Sequence, residues 1–289
     1  MNLRRLTART AVAGVTTALA AGALVGLGTT AANAATVTNT YTCSIPSLYS
    51  GDFALTVSGE LPVPQYWAGA EVPAGLLNVT ATSTVPATAA PLLAQLGYTG
   101  AKSDDFAFAF GDTSVPVPLT GSFAASGGNT TWNATGANLA FETPAPGNTS
   151  AILPSAFTLT TTGGTSAPVN LNCALAAGQT AQTLASIDLL QQKSAVTAPK
   201  SVKAKAGKPA KIKVSVASTS LSTPVTEGMV VAKKGKKVVG KAKLNGKGKA
   251  TLTVKKLKAG KNKLTITFDG TDSIKGSKAK TTVKVAPKK

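Results

Sequence analysis

The chain has 289 residues, with 30 lysines and arginines against 11 aspartates and glutamates, and a formal net charge of +19. It contains no histidine, which excludes Ser-His and Cys-His nucleophiles and histidine-bound metals. So large a cationic excess indicates an anionic partner.

The first 34 residues are predicted to be an export signal. Three arginines precede an apolar run over residues 11–27, and the sequence ANA at 32–34 has the small-x-small pattern of a cleavage site. We therefore expect a secreted protein that begins at Ala35. No later segment approaches the length of an apolar membrane-spanning helix, so no transmembrane insertion is expected after cleavage.

Charge and aromatic content divide the rest of the chain. Residues 35–190 carry one lysine and eight acidic residues, whereas residues 191–289 carry 26 lysines and three acidic residues. Almost all aromatic residues lie in the first part. Such a change in composition marks a domain boundary. We predict a first domain over residues 35–178, a polar linker over 179–199 with room for a short helix at 183–191, and a lysine-rich domain over 200–289.

The first domain alternates apolar and polar residues in the manner of β-strands. In DFALTVSGEL, Phe53, Leu55 and Val57 share one face, and the phenylalanines of DDFAFAFG also share a face. Gly, Pro, Asn and Ser separate these segments. The pattern predicts an all-β protein of two β-sandwich-type domains, the first of them an antiparallel sandwich or barrel.

One segment of the first domain has helical spacing instead. In PATAAPLLAQLG, Ala89, Leu92, Leu93 and Leu96 fall on one helix face, and Gly97 can supply a left-handed end. We predict one short helix that covers an open end of the sheet. Core packing is favoured over a role as a ligand lid.

The two cysteines, Cys43 and Cys173, lie near the two ends of the first domain. In an exported protein this arrangement predicts one disulfide, the alternative being two free buried thiols. Closing so long a loop stabilises a fold by about 5 kcal/mol in the chain-entropy model.

Tyr66 and Trp67 are candidates for contact with a glycan or a partner protein. They lie in PVPQYWAGAEVP, which the flanking prolines predict to be a loop, and exposed aromatic rings can stack on sugars. The alternative is that Trp67 closes the core from outside, as large aromatics usually do.

No catalytic residue, cofactor or metal site is expected. Asp104 and Asp105 are adjacent in a predicted strand, so their side chains would point to opposite faces and could not share one substrate. Asp269 and Asp272 in FDGTD are two carboxylates in a strongly positive domain, where turn capping is favoured over calcium binding.

The lysine-rich domain also alternates. KIKVSV, KATLTVKK, KLTITFDG and TTVKV each place apolar side chains on one face and lysine or threonine on the other, a pattern that a disordered tail lacks. Asn245-Gly246 predicts a hairpin, Gly235 a turn between strands, and Ala259-Gly260 a turn that leads directly into a strand.

Residues 226–285 resemble the bacterial Ig-like domains of group 3, and the resemblance extends over about 200–286 with the preceding strands. It implies a seven-stranded sandwich that acts as a spacer, stalk or adhesive module without catalysis. The first domain is more loosely similar to an uncharacterised domain of exported actinobacterial envelope proteins, and this resemblance carries no known function. The positions that carry the Ig-like resemblance are Gly228, Gly235, Gly248, Ala250, Leu252, Leu257, Ala259, Gly260, Leu264, Phe268 and Ser277.

Edge lysines can serve to prevent aggregation, but this does not account for 26 lysines against three acidic residues. We therefore predict diffuse, salt-sensitive binding to anionic cell-envelope polymers of the teichoic type, with extracellular DNA as a further, non-specific partner. The predicted polyanion-binding residues are Lys233, Lys234, Lys236, Lys237, Lys241, Lys243, Lys247, Lys249, Lys255, Lys256 and Lys258.

These observations predict a secreted, cell-wall-associated protein without enzymatic activity, whose first domain serves structure or interaction. Two alternatives remain open at the level of sequence. One is a secreted hydrolase that the lysine-rich module targets to its substrate, and the other is a glycan-binding or host-directed adhesin. The oligomeric state does not follow from the sequence.

Overall fold

The computed structural model describes residues 35–287 apart from 47, 60–62 and 64. The predicted export signal, residues 1–34, lies outside the described residues. Within the described part, the chain is all-β with one short helix, which confirms the predicted fold class. No helix in this part is long and apolar enough to cross a bilayer.

The first domain contains the helix and the first fifteen strands. They are β1 (Ala35–Ile45), β2 (Tyr49–Gly59), β3 (Gln65–Trp67), β4 (Glu71–Val72), β5 (Asn78–Val85), α1 (Ala90–Gln95), β6 (Gly100–Ser103), β7 (Ala107–Phe110), β8 (Thr113–Pro116), β9 (Leu119–Ser126), β10 (Asn129–Ala137), β11 (Phe141–Glu142), β12 (Gly147–Ile152), β13 (Ala156–Thr162), β14 (Asn170–Leu175) and β15 (Thr183–Leu190).

Eight of these strands close into an antiparallel barrel. The order around the barrel is β1-β14-β13-β6-β9-β10-β5-β2, where β2 returns to β1. Because successive residues of a strand point to opposite faces, each barrel strand sends every second side chain inward. Phe53, Leu55 and Val57 of β2 are buried in this way, as their alternation predicts.

A second sheet, with the order β3-β15-β12-β7-β8, packs against the barrel. Its residues Phe108, Phe110, Ile187 and Leu189 belong to the same buried apolar cluster as the inward residues of the barrel. One core therefore spans both sheets. Strands β4 and β11 form a separate two-stranded sheet.

Residues 183–190, which the sequence places in a linker, instead form β15 of the second sheet. This strand pairs antiparallel with β12 and parallel with β3, and Leu184, Ile187 and Leu189 are buried. The short helix for which the sequence leaves room at 183–191 does not form, because strands on both sides take up the main-chain hydrogen bonds of this segment.

Cys43 on β1 and Cys173 on β14 form the predicted disulfide. The two residues are paired directly across neighbouring antiparallel strands, and both are buried. They are 130 residues apart in the sequence, so the bond fastens the first barrel strand to a late one. This bond constrains the unfolded chain over most of the first domain.

Helix α1 lies over one end of the barrel, as its pattern predicts. Pro91 stands in its first turn, and Gly97, with a φ of +71°, allows the chain to reverse after the helix. No residue of α1 is buried. The helix therefore covers the barrel end without contributing a fully buried side chain.

The second domain is a sandwich of two sheets, of three strands (β16-β18-β21) and five strands (β17-β23-β22-β19-β20). It thus has eight strands, one more than the seven that the resemblance implies, and it starts before residue 200. Ile212, Leu252, Ile266 and Phe268 are fully buried between the sheets. The strands are β16 (Ser194–Thr197), β17 (Ser201–Ala204), β18 (Ala210–Ser218), β19 (Met229–Lys234), β20 (Lys237–Lys243), β21 (Lys249–Val254), β22 (Gly260–Gly270) and β23 (Lys275–Val285).

Two of the three turns predicted in this domain are confirmed. Gly235, with a φ of +60°, lies in the turn between β19 and β20, and Gly260 begins β22. The hairpin predicted at Asn245-Gly246 is wrong, because β20 and β21 on either side of it belong to different sheets. Asn245 Oδ1 instead accepts hydrogen bonds from the main-chain N–H groups two and four residues later.

The two domains are joined by a short junction, residues 191–193. Gln192 is only 3% exposed, and its side-chain amide donates hydrogen bonds to the carbonyl oxygens of Ala68 and Gly69 at 2.7 and 3.2 Å. Its main-chain N–H donates to the carbonyl oxygen of Ser273, and its carbonyl oxygen accepts from the N–H of Lys275. The junction is a packed contact between the domains.

Candidate anionic-polymer interface

The outer face of the five-stranded sheet carries a dense set of lysines, and we call it the lysine face. Residues that are paired across neighbouring strands point to the same side of the sheet, so the strand register assigns its members. The lysines of this face are Lys203, Lys233, Lys241, Lys243, Lys261, Lys263, Lys278, Lys280 and Lys284.

Three of these lysines stand directly opposite one another. Lys284 on β23 is paired with Lys203 on β17 and with Lys261 on β22. Neighbouring strands are about 4.8 Å apart, which is less than the screening length of about 8 Å in physiological salt. Like charges in this arrangement destabilise a sheet. On the described strands of this face, the register places one acidic residue, Asp269, at the end of β22.

The lysines of the second domain form no salt bridge among the described residues. The salt bridge that the described residues do contain lies in the first domain, where Lys102 Nζ is 2.6 Å from Asp104 Oδ2. The hydrogen bonds of Gln192 at the junction involve neutral groups. The acidic first domain therefore does not neutralise the lysine face through ion pairs in the described residues.

The predicted polyanion-binding lysines do not share one surface. Lys233, Lys241 and Lys243 lie on the lysine face, and Lys249 lies on the outer face of the three-stranded sheet. The others occupy turns and strand ends at the edges of the sandwich. These are Lys234, Lys236, Lys237, Lys247, Lys255, Lys256 and Lys258.

The sequence-based selection missed six lysines on the lysine face. Alternation of polar and apolar residues in the sequence does indicate that these six lysines point away from the core. Their position beside β19 and β20 follows only from the sheet order. The missed residues are Lys203, Lys261, Lys263, Lys278, Lys280 and Lys284.

The second domain has no aromatic stacking platform among its described residues. Its one aromatic residue, Phe268, is fully buried in the sandwich core. The sequence contains no arginine after residue 34. Since base readout relies on arginine forks and single-strand binding relies on stacked rings, the charge pattern fits a diffuse contact with anionic groups.

Tyr66 and Trp67 are not on an exposed loop, contrary to the prediction. They form β3 together with Gln65, and β3 pairs in parallel with β15. Both aromatic side chains are half-buried, and Tyr66 packs against the core of the first domain. Pairing with β15 holds the segment on the sheet, so the two rings are part of a strand and not of a loop.

Asp104 and Asp105 lie in a bend between β6 and β7 rather than in a strand, which corrects the prediction. Asp104 pairs with Lys102, whereas Asp105 accepts hydrogen bonds from the main-chain N–H of Thr158 and the hydroxyl of Ser103. Desolvation raises the pKa of Asp105, but these hydrogen bonds outweigh it and hold the pKa below its usual value. Asp105 is thus a structural acceptor.

In the described ranges, no cluster of three or more histidine, cysteine or acidic side chains could hold a metal ion. Asp269 is the last outward-facing residue of β22, and Asp272 lies in the turn that precedes β23. In that turn, the N–H of Thr271 donates to the carbonyl oxygen of Ile274.

The fold of the second domain is that of an Ig-like sandwich, and comparison with protein families agrees. Residues 195–286, which make up most of the second domain, match the family described as bacterial Ig-like domain (group 3). The first domain lies outside this match. No curated protein sequence matches the chain.

Among solved structures, the chain is similar to a protein from Corynebacterium diphtheriae described as membrane anchored. The similarity has a TM-score of 0.41 and 15% sequence identity, and it covers 86% of this chain. The chain spans 58% of the length of that protein.

Proposed function

We propose that this is an exported, non-catalytic protein of the cell envelope, whose Ig-like domain binds anionic wall polymers through the lysine face. The first domain then serves structure or interaction outside the cell. The observation that supports this proposal is the lysine face itself, where the lysines have no ion-pair partner in the described residues.

The geometry of the lysine face suits a flexible chain of phosphate groups. In the row of Lys203, Lys284 and Lys261 the charged side chains repeat about every 4.8 Å across the strands. Along a strand, neighbouring lysines of the face such as Lys261 and Lys263 are about 7 Å apart, and in other rows lysine is paired with threonine. A Lys ammonium is a compact point charge on a mobile stem, so it can follow phosphates whose spacing varies. Polymers of the teichoic type present such phosphates at the cell surface. Extracellular DNA presents the same charge, and it is a weaker, non-specific partner in this proposal.

Repulsion among the lysines also favours a polyanion. Lys203, Lys284 and Lys261 are held side by side by the strand register, and the sandwich core fixes that register. A bound chain of phosphates would relieve this repulsion. Binding to the folded state alone stabilises a protein, so the polymer and the fold would support each other.

The test is retention of the purified protein on isolated cell walls over a salt series. The logarithm of the binding constant should fall linearly with the logarithm of salt concentration, as for other polyanions. Walls from which phosphate polymers have been extracted should retain much less protein. Soluble DNA added as a competitor should displace the protein less well than soluble wall polymer.

Matched variants distinguish the lysine face from general positive charge. Four substitutions to glutamine on the face should reduce the salt slope by about 3, since each phosphate contact contributes about 0.7 for a flexible single strand. The face variant changes Lys261, Lys263, Lys280 and Lys284. The control variant, with the same change in charge outside the lysine face, changes Lys200, Lys205, Lys208 and Lys213.

Three results would contradict the proposal. The first is full recovery of the intact protein from walls at low salt. The second is equal retention on intact and phosphate-extracted walls. The third is an equal loss of binding in the face and control variants, which would show that the lysine face has no special part.

A further inference from the structure

The second domain has a proximal end at the junction and a distal end away from it. Strand β23 begins at Lys275, whose N–H donates to the carbonyl oxygen of Gln192 at the junction, and it ends at Val285. A strand of 11 residues that rises about 3.3 Å per residue spans about 33 Å. The two ends of the domain therefore differ in their distance from the first domain by about 33 Å.

Two neighbouring turns near the distal end carry six exposed lysines and no acidic residue, and we call them the lysine tip. They comprise residues 234–238, around the turn from β19 to β20, and residues 255–258, between β21 and β22. Gly260, two residues after the second turn, is paired with Val285 at the distal end of β23. The lysines of the tip are Lys234, Lys236, Lys237, Lys255, Lys256 and Lys258.

A buried asparagine joins the two turns. Asn262 is 2% exposed, and its Nδ2 donates hydrogen bonds to the carbonyl oxygens of Lys258 and Gly260 at 2.8 and 3.2 Å. Its Oδ1 accepts a hydrogen bond from Lys234 Nζ at 2.6 Å. Because one side chain holds both segments, the turns present their lysines as a single cluster.

The three acidic residues of the second domain lie at the proximal end. Glu227 comes just before β19, whose first residues pair with the end of β22, and Asp269 and Asp272 lie on either side of the last residue of β22. The first domain, which is joined at this end, carries eight acidic residues and one lysine over residues 35–190. Positive charge is thus concentrated at the distal end, and negative charge at the other.

The lysine tip also exposes an apolar side chain. Val238, the second residue of β20, is 42% exposed and follows Lys237 directly. Lysine stems are themselves apolar, so the ammonium groups can reach a polar layer while the stems lie on an apolar one. Clustered lysines bind anionic lipid surfaces, and apolar side chains beside them strengthen such binding.

We propose that the lysine tip docks end-on on an anionic lipid bilayer, with its ammonium groups among the phosphate headgroups. In this pose the junction stands about 33 Å from the lipid, far beyond the screening length of about 8 Å, so the acidic first domain is not repelled. Contact through the lysine face would instead bring Asp269 and the junction to the headgroups. The tip is thus a second site, separate from the polymer-binding face.

Co-sedimentation of residues 35–289 with lipid vesicles tests this proposal. Saturable binding is expected to vesicles of phosphatidylglycerol mixed with phosphatidylcholine, and none to phosphatidylcholine alone. Replacing Lys236, Lys255 and Lys258 by glutamine should weaken binding about 100-fold, since each lysine near an anionic surface contributes about fivefold. Thermal unfolding verifies that this tip variant is folded.

A matched control variant makes the same change in charge at the proximal end. It replaces Lys193, Lys247 and Lys275, which are exposed and lie near the junction, by glutamine. This variant should lose less than about fivefold in vesicle binding, because its lysines stand beyond the screening length from the lipid.

Tryptophan placed at two exposed apolar positions tests the orientation. Val238 in the tip and Met229 at the proximal start of β19 are 42% and 45% exposed, and both lie on the outer face of the same sheet. Brominated lipids should quench the fluorescence of Val238→Trp. They should not quench Met229→Trp, nor Trp67 and Trp132 of the first domain.

Three results would overturn the proposal. The first is absence of binding to phosphatidylglycerol vesicles, even when isolated walls retain the protein; the polymer is then the partner, and the proposal for the lysine face stands. The second is an equal loss of binding in the tip and proximal variants. The third is equal quenching of Met229→Trp and Val238→Trp, which would show that the domain lies on its side.

Discussion

Lys284→Glu is predicted to stabilise the second domain. In the register of the five-stranded sheet, residue 284 lies between Lys203 and Lys261, so the substitution replaces two repulsive pairs by two attractive pairs. If each cross-strand pair changes by about 0.5 kcal/mol, the free energy of unfolding rises by about 1 kcal/mol. For a domain of this size, that raises the melting temperature by about 5 °C.

Differential scanning calorimetry of residues 35–289 at low and high salt measures this effect. The gain should be largest at low ionic strength and shrink when the screening length falls to about 3 Å near 1 M salt. Lys208→Glu is the matched control, because it makes the same charge change in the loop between β17 and β18.

Two results would refute the reasoning. If Lys208→Glu stabilises the domain as much as Lys284→Glu does, then net charge and not the register of paired lysines sets the stability. If Lys284→Glu lowers the melting temperature at low salt, then lysines 203, 284 and 261 do not repel one another as the register implies.

Three further predictions concern the fold. Gly228→Ala should lower the stability of the second domain by about 2 kcal/mol, since this residue has a φ of +95° and a Cβ would lie 2.7 Å from Phe268 Cε2; urea unfolding measures it. Replacing Cys43 and Cys173 by alanine should destabilise the first domain by about 2–5 kcal/mol, measured by thermal unfolding. Asp105→Asn should reduce stability above about pH 4 and have little effect at lower pH, measured by unfolding over a pH series.

The sign of the Asp105 effect follows from its lowered pKa. A carboxyl that is more acidic in the folded state stabilises the fold above its unfolded pKa of about 3.9, and this contribution is lost as the pH falls through the folded pKa. If Asp105→Asn destabilises the fold equally down to the lowest pH, the assignment of a lowered pKa to Asp105 is wrong.

Gly207→Ala is the control for Gly228→Ala. Gly207 also has a positive φ, +71°, but a Cβ added there would meet open space.

Alternation in the sequence predicted the strands whose buried face is regular. It succeeded for β2, where every second residue from Phe53 to Val57 is buried, and for β18 in the second domain. It failed for β15, because the register with β12 shifts between Ala151 and Ile152. That irregularity separates Leu184 and Ile187 by three residues, a spacing that also fits a helix.

The candidate sites depend on contacts between distant strands. Local alternation shows that Lys203 and Lys284 point outward, but only the sheet order makes them neighbours. Sequence patterns thus predicted which residues face in or out, and long-range pairing determined which of them meet.

The junction between the domains bears on how readily proteases cut the chain. Proteases cut chain segments whose main chain is exposed and free of hydrogen bonds. At Gln192 and Lys193, however, the main-chain N–H and carbonyl groups are all bonded, to Ser273 and Lys275 in one case and to Ser220 and Thr219 in the other. At these two residues a protease therefore meets a hydrogen-bonded main chain, which disfavours a cut that would separate the lysine-rich domain from the barrel.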